Sequence, residues 1–178
     1  HSYSSAASDV YKRQKEKCSV LGLKQMTDSN ESSNKTAFTV SIEAKEGITT
    51  GISAQDRATT ILAAVNPDAT KKDIAQPGHV FPLQAMDGGV LARAGHTEAS
   101  CDLAELAGYS PSGVICEIMN DDGSMARRDD LIEFAKKHNL KIGTIADLID
   151  FRLTTEATVK EVEKKSVKTD FGEFELRI

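Results

Sequence analysis

The sequence predicts an α/β protein built around one core. Segments with helical periodicity alternate with short apolar stretches that are typical of buried strands. At 178 residues the chain is long enough for one hydrophobic core. Its 39% hydrophobic and 28% charged residues match an ordinary globular domain.

Composition also argues against several classes of protein. The net charge of -5 gives no indication of a nucleic-acid-binding face. No apolar run approaches the roughly 20 residues of a membrane span. The three cysteines show no Cys-x-x-Cys spacing, which favours a reduced setting without structural zinc. We therefore expect a cytoplasmic protein that binds neither nucleic acid nor membrane.

The N-terminal segment carries no signal for folded structure. Its first 14 residues are small, polar and aperiodic, and they lack the apolar stretch of a secretory signal. We interpret residues 1–17 as a non-native leader. Residues 28–36 are expected to form a polar loop.

A strand and a helix are indicated in the next part of the chain. Residues 37–44 alternate, which predicts a strand with three apolar side chains on one face: Phe38, Val40 and Ile42. Ser53 is the expected N-cap of a helix that stops before Pro67. A second, short helix is expected from about Asp68. Residues 79–83 should be extended, with a bend at Pro82.

Three helices and two short strands are expected further along: helices over 97–107, 129–138 and 145–151, and strands over 113–119 and 141–144. Gly108 is a C-terminal signal for the first helix. The inward residues of that helix should be Ala99, Leu103 and Leu106. Those of the second should be Leu131, Ile132, Phe134 and Ala135. Beyond these, residues 157–178 alternate charged and apolar side chains around Gly172, which predicts a hairpin.

The run Arg93 to Thr97 could bind an anion. If a helix begins at Thr97, its free N–H groups and its dipole favour negative charge there. Gly95 lets the backbone approach closely, Arg93 can hold a phosphate with two hydrogen bonds, and His96 could ligate a divalent metal. The alternative is that Thr97 only caps the helix and Arg93 is a surface charge.

Two further residues could transfer protons. Glu117 lies inside the apolar stretch 113–119, where a buried carboxylate must be paired, metal-bound or shifted in its pKa. The alternative is that it alternates outward into solvent. His79 stands between Pro77 and Pro82 and could be an acid, a base or a satisfied core histidine.

Together these residues resemble a known family. The strings QPGHVFPL, GGVLARAGHTEAS and GVICEIMNDDGSMAR follow one another in the order found in 3,4-dihydroxy-2-butanone 4-phosphate synthase of riboflavin biosynthesis. The resemblance covers about residues 36–152. It implies a three-layer α/β fold with a mixed sheet, here incomplete at the N-terminus. It also implies a lyase that uses Mg²⁺ (or Mn²⁺), forms a homodimer and converts D-ribulose 5-phosphate to 3,4-dihydroxy-2-butanone 4-phosphate and formate.

The resemblance also assigns roles to residues. The catalytic pair would be His79 and Glu117, and the metal ligand would be His96. The substrate would be bound by Arg93, Ala94, Gly95, His96, Thr97 and Glu117.

The chain departs from the family pattern at both ends. The upstream acidic loop that supplies a metal-binding glutamate has no counterpart before Thr36, so we expect little turnover from this chain alone. TDFGEFELRI resembles the opening of GTP cyclohydrolase II, which is fused behind the synthase in bifunctional riboflavin enzymes. We therefore expect residues 18–153 to be the C-terminal part of the synthase domain, and residues 154–178 to be a linker and the start of a cyclohydrolase-like domain. The alternative is a catalytically degenerate dimerisation scaffold that carries a cyclohydrolase.

Overall fold

The computed structural model describes residues 17–156 and 163–177, and these confirm the predicted α/β class. The long helices are Ala54–Val65 (α1), His96–Leu106 (α2), Arg128–His138 (α3) and Ile145–Thr155 (α4). The strands are Ala37–Phe38 (β1), Ile42–Ala44 (β2), Ile74–Val80 (β3), Leu83–Gln84 (β4), Lys164–Thr169 (β5) and Gly172–Arg177 (β6). No helix in these ranges is long and apolar enough to cross a membrane.

The described strands pair two by two, each pair antiparallel: β1 with β4, β2 with β3, and β5 with β6. The β2–β3 ladder is irregular, because Ile42 faces Val80 whereas the next residue, Glu43, faces Ala75. The residues in between on β3 include Pro77, which has no N–H to donate to a ladder. They form a bulge, and a bulge re-aims the side chains it carries.

The main core lies where α1 covers the β2–β3 pair. Its buried residues are Leu21, Ile42, Ala69 and Ile74, with Leu23, Ala64 and Val80 packed against them. The Thr60 side chain is fully buried on the same helix face, and its hydroxyl accepts a hydrogen bond from the Ala44 backbone N–H at 3.0 Å. A buried backbone donor of β2 is thereby satisfied.

The start and end of α1 match the sequence prediction. The Ser53 hydroxyl accepts a hydrogen bond from the Asp56 N–H at 3.0 Å, and the helix ends at Val65, before Pro67. The short helix expected from Asp68 is wrong, because residues 66–73 form turns. There the Asn66 side chain accepts from the Asp68 N–H, which gives the backbone an alternative to helical bonding.

The strand predicted over 37–44 is broken into β1 and β2, and its predicted face is only partly correct. Phe38 is 43% exposed, whereas Thr39, Ser41 and Ile42 are buried. The backbone N–H of Thr39 bonds to the Pro82 carbonyl at 3.0 Å. The chain changes partner from β4 to β3 between the two strands. For this reason burial does not alternate regularly, and the adjacent residues Ser41 and Ile42 are both buried.

The strands predicted over 113–119 and 141–144 are wrong. Both stretches are irregular, with Val114 70% and Ile142 56% exposed. A continuous apolar strand is stable when neighbouring strands pair with its edges and cover its faces. Among the described residues no strand lies beside either stretch; one isolated bridge joins Met119 to Met125.

The three later helices and the hairpin are confirmed. Helix α2 ends at Leu106, and Gly108 follows with a φ of 82°, as a C-terminal glycine signal predicts. The predicted inward residues of α3 are buried or half-buried. For α2 the prediction is wrong at Leu103 and Leu106, which are 57% and 45% exposed, since polar residues occupy its buried side. The leader, except for Lys17, and residues 157–162 of the linker lie outside the described residues.

Candidate active site

His79 lies in the bulge of β3, where its ring contacts a carboxylate. Its Nδ1 atom is in hydrogen-bond and ion-pair contact with Glu43 Oε1 of β2. The imidazole side chain is 44% exposed and the Glu43 side chain 17%. Its backbone is also fixed, because the Arg57 guanidinium of α1 donates to the His79 carbonyl at 2.8 Å. A core histidine, one of the alternatives open from the sequence, would be far less exposed.

The glycine before His79 is required by close backbone packing. A Cβ atom on Gly78 would overlap the carbonyl group of Ile42 on the neighbouring strand. The Gly78 N–H donates to the Ser41 hydroxyl at 3.1 Å, which holds the bulge against β2. The position of His79 therefore follows from the Pro-Gly-His order in the sequence.

Helix α2 begins at His96, within one residue of the predicted start. Gly95 is its extended N-cap, with φ -122° and ψ 156°. His96 is exposed in the first turn, whereas Thr97 is only 8% exposed. The first N–H groups of a helix have no carbonyl partner within it, so this end of α2 can accept an anion.

The Arg93 guanidinium is held in place by an ion pair and by hydrogen bonds. Its Nη1 lies 2.5 Å from Oε2 of Glu98, a residue that is 1% exposed. Its Nη2 donates to the Asn34 carbonyl at 3.0 Å and to the Thr36 hydroxyl at 3.2 Å. A guanidinium has five N–H donors, and these bonds use three of them. The other two donors make no hydrogen bond within the described part of the chain.

Gly95 lies directly beside this ion pair. A Cβ atom there would overlap Arg93 Nη1 and come within 2.6 Å of Glu98 Oε2. The predicted close approach of a bound anion to the Gly95 backbone stays a prediction. The other Glu98 oxygen accepts from the Met86 N–H at 2.9 Å, which ties α2 to the loop before it.

Glu117 is exposed, so the outward orientation considered for this residue is the correct one. The expected burial depended on a strand over 113–119 that the structure lacks. The described residues give its carboxylate no hydrogen-bond partner. Its catalytic role stays a prediction.

An open cavity of about 530 Å³ brings part of the predicted site together. His79, Thr97 and Cys116 all line it, among apolar side chains such as Leu21 and Ile61. Arg93, His96 and Glu117 do not line it. His96 and Glu117 are the chain neighbours of the lining residues Thr97 and Cys116.

Two of the three cysteines that line the cavity, Cys18 and Cys101, are partly buried. Burial raises the pKa of the Cys101 thiol to about 11, and it raises the pKa of Cys18 as well. Both residues line the cavity. Electrostatic interactions are stronger in such surroundings than in water.

The described residues do not form a metal site by themselves. They contain no group of three or more His, Cys, Asp or Glu side chains that could hold an ion. His96 is exposed and can offer one imidazole nitrogen. Mg²⁺ prefers oxygen ligands in octahedral geometry, so the other ligands would have to come from outside these residues.

Sequence reasoning missed three carboxylates that organise the site: Glu43, Glu98 and Asp102. The last two are buried in α2, and Asp102 accepts from Arg152 of α4 at 2.8 Å. Helical spacing offered a signal, since Glu98 and Asp102 lie four residues apart and share one face. For Glu43 there was no local signal, because its partner is distant in sequence.

A family model described as 3,4-dihydroxy-2-butanone 4-phosphate synthase matches residues 10–151. The chain belongs to this family. It is 62% identical over 161 residues to the 3,4-dihydroxy-2-butanone 4-phosphate synthase of Pseudomonas syringae pv. tomato, covering 90% of this chain and 44% of that protein. The chain therefore spans less than half the length of this relative.

Solved structures confirm the family fold. RibBX of A. baumannii, a two-domain 3,4-dihydroxy-2-butanone 4-phosphate synthase, is 56% identical with a TM-score of 0.82, covering 91% of this chain and 48% of that one. Another synthase, solved in complex with two magnesium ions, is 40% identical with a TM-score of 0.72. That match covers 81% of this chain and 72% of that one.

Proposed function

We propose that this chain supplies the proton-transfer and phosphate-binding part of a 3,4-dihydroxy-2-butanone 4-phosphate synthase. The complete enzyme would convert D-ribulose 5-phosphate to 3,4-dihydroxy-2-butanone 4-phosphate and formate in riboflavin biosynthesis. The observation that carries the proposal is the cavity that His79 shares with Thr97 at the start of α2. A proton acceptor and an anion-binding helix end in one cavity suit enolisation of a sugar phosphate.

The phosphate would be bound at residues 93–97. The α2 N-terminus offers backbone N–H groups and the positive end of its dipole. Arg93 adds the guanidinium donors that its bonds to Glu98 and to the 34–36 loop leave available. Because Glu98 holds the guanidinium in place, less conformational entropy is lost when a phosphate binds.

His79 would accept the proton that the sugar phosphate loses in the enolisation step. Its Nδ1 is engaged by Glu43, so Nε2 is the nitrogen that can accept a proton from carbon. Glu117, exposed on the segment that follows Cys116, would be the second acid–base group. Positioned groups of this kind accelerate proton transfer by roughly 10²–10⁴.

The metal would be Mg²⁺ (or Mn²⁺), with His96 contributing one ligand. When bound, such an ion polarises the substrate carbonyl as a Lewis acid. The oxygen ligands would come from outside the described residues. For this reason we expect the chain on its own to release little formate.

The remaining assignments follow the family. Residues 18–153 would belong to the synthase domain, and residues 154–178 would lead into a cyclohydrolase-like domain that begins with the β5–β6 hairpin. The complete enzyme would be a homodimer. A dimerisation scaffold without synthase activity is the alternative, and the organised His79 and Arg93 favour the enzyme.

The test is a formate assay with Mg²⁺ and ribulose 5-phosphate on a full-length protein that carries this segment. His79→Ala and Glu117→Ala should each abolish formate release while leaving the protein folded, which circular dichroism would check. The matched controls His138→Ala and Glu133→Ala alter exposed residues of α3 and should retain activity. Full activity of either site variant refutes its assigned role, and an inactive wild type favours the scaffold.

A further inference from the structure

Glu43 has no direct part in the proposed reaction, but its carboxylate contacts the ring of His79, which does. It belongs to β2, directly after the register shift, and its Oε1 meets Nδ1 of His79. From this geometry, and on the basis of the proposed function, we infer that Glu43 is a positioning residue that sets the orientation and tautomer of the His79 imidazole.

The contact determines which nitrogen of His79 is free. A carboxylate only accepts hydrogen bonds, so Nδ1 must carry the proton that it shares with Glu43. In the neutral ring Nε2 then has the lone pair and becomes the proton acceptor. Without this partner the ring could rotate or adopt the other tautomer, because the hydrogen bond made by one ring nitrogen determines the protonation of the other.

The surroundings hold Glu43 in turn. Its side chain is only 17% exposed, and Gly51 packs against the carboxylate so closely that a Cβ atom on Gly51 would overlap both Oε1 and Cδ. Gly51 has a φ of 83°, which glycine adopts without strain. On the other side Arg57 fixes the His79 carbonyl at 2.8 Å, so both partners are held by α1 and the loop before it.

The test uses Glu43→Gln in a full-length protein that carries this segment. This change keeps the side-chain size but removes the charge, and an amide can either accept or donate. We expect kcat to fall about 10–100-fold with KM within about twofold, because the substrate contacts are untouched. Glu43→Asp keeps a carboxylate and should recover part of the loss.

The matched control is Glu46→Gln, an exposed glutamate three residues further along the chain. It should leave kcat and KM at the wild-type values. Wild-type kcat in Glu43→Gln would overturn the inference. A loss of kcat that Glu43→Asp does not relieve at all would also contradict it.

A second readout does not depend on the activity of any variant. In ¹⁵N-histidine-labelled wild-type protein at about pH 9, above the ordinary titration range of imidazole, His79 should show a protonated Nδ1 and an unprotonated Nε2. His79→Gln assigns the signal. The opposite tautomer overturns the inference whether or not the protein releases formate. An inactive wild type with the expected tautomer would instead refute only the proposed function.

Discussion

The guanidinium of Arg152 in α4 lies 2.8 Å from the carboxylate of Asp102 in α2, and both side chains are almost fully buried. The same Nη1 donates to the Gly88 carbonyl at 3.1 Å, while Asp102 accepts from the Val90 N–H at 2.9 Å. One ion pair therefore joins two helices to the 3₁₀ turn Gly89–Leu91, directly before the 93–97 run. This pair is the structural support of the proposed phosphate-binding end.

Replacing Arg152 by methionine should destabilise the fold by about 3–5 kcal/mol, because a buried Asp102 would lose its positive partner. Urea unfolding followed by circular dichroism measures the change. The control Lys136→Met removes an exposed ion pair with Glu133 and should cost less than about 1 kcal/mol. Equal unfolding midpoints for both variants would contradict this role of Arg152.

Gly78→Ala should destabilise the β2–β3 pair by about 1–3 kcal/mol, since its Cβ would overlap the Ile42 carbonyl and a backbone cannot move aside cheaply. Gly143→Ala is the matched control, because no atom lies within 4 Å of the Cβ it would add. Thermal unfolding of both variants measures the difference. A melting temperature for Gly78→Ala equal to that of Gly143→Ala would show that the bulge tolerates a side chain.

The helices were predictable from local signals. Ser53 before an acidic first turn, Gly108 after α2 and the apolar spacing of α3 are each contained in a few neighbouring residues. The strands were predicted less well, because a strand depends on partners that are distant in sequence. Residues 113–119 have a strand-like composition, but the described chain provides no neighbour to pair with them.

The residues of the candidate site also differ in how well the sequence predicted them. His79 and residues 93–97 could be found from short motifs, and the structure places His79 and Thr97 on one cavity. Their supporting acids could not all be found in this way. Glu43 meets His79 across 36 residues, and that contact depends on the register shift at Ile42.

Stability should fall at acid pH partly through Asp56. Hydrogen bonds hold the pKa of this carboxyl below its ordinary value, above all the bond from the Thr49 hydroxyl at 2.8 Å. A lowered folded-state pKa gives stability that is present above the unfolded pKa and is lost as pH falls through the folded one. Asp56→Asn should therefore reduce the loss of stability on acidification.

Unfolding midpoints measured between neutral and acid pH test this expectation. Asp68→Asn, at an exposed aspartate, is the control and should lose as much stability on acidification as the wild type does. Some loss of stability at acid pH should remain in Asp56→Asn, because the pKa values of Asp73 and Asp122 are lowered too. Identical pH profiles for wild type and Asp56→Asn would refute the assignment.

The three cysteines should differ in reactivity. Cys116 is exposed, whereas burial raises the pKa of Cys101 to about 11 and also raises that of Cys18. Because the thiolate is the nucleophile, iodoacetamide at about pH 8 should alkylate Cys116 first. Peptide mass spectrometry over time gives the order, and denatured protein is the control in which the difference should disappear. Faster labelling of Cys101 would indicate that the cavity is open to solvent there.

Glu98→Gln should weaken substrate binding in a full-length protein more than it slows turnover. Glu98 is 1% exposed and holds Arg93 Nη1 at 2.5 Å, so the neutral amide would loosen the guanidinium that we propose binds the phosphate. A charge-assisted hydrogen bond is worth roughly 1.5–3 kcal/mol, which corresponds to a rise in KM of about tenfold or more. The control is Glu133→Gln, at an exposed glutamate of α3, and it should leave KM unchanged. If Glu98→Gln lowers kcat and leaves KM unchanged, Arg93 acts in the chemical step and does not serve mainly to bind the phosphate.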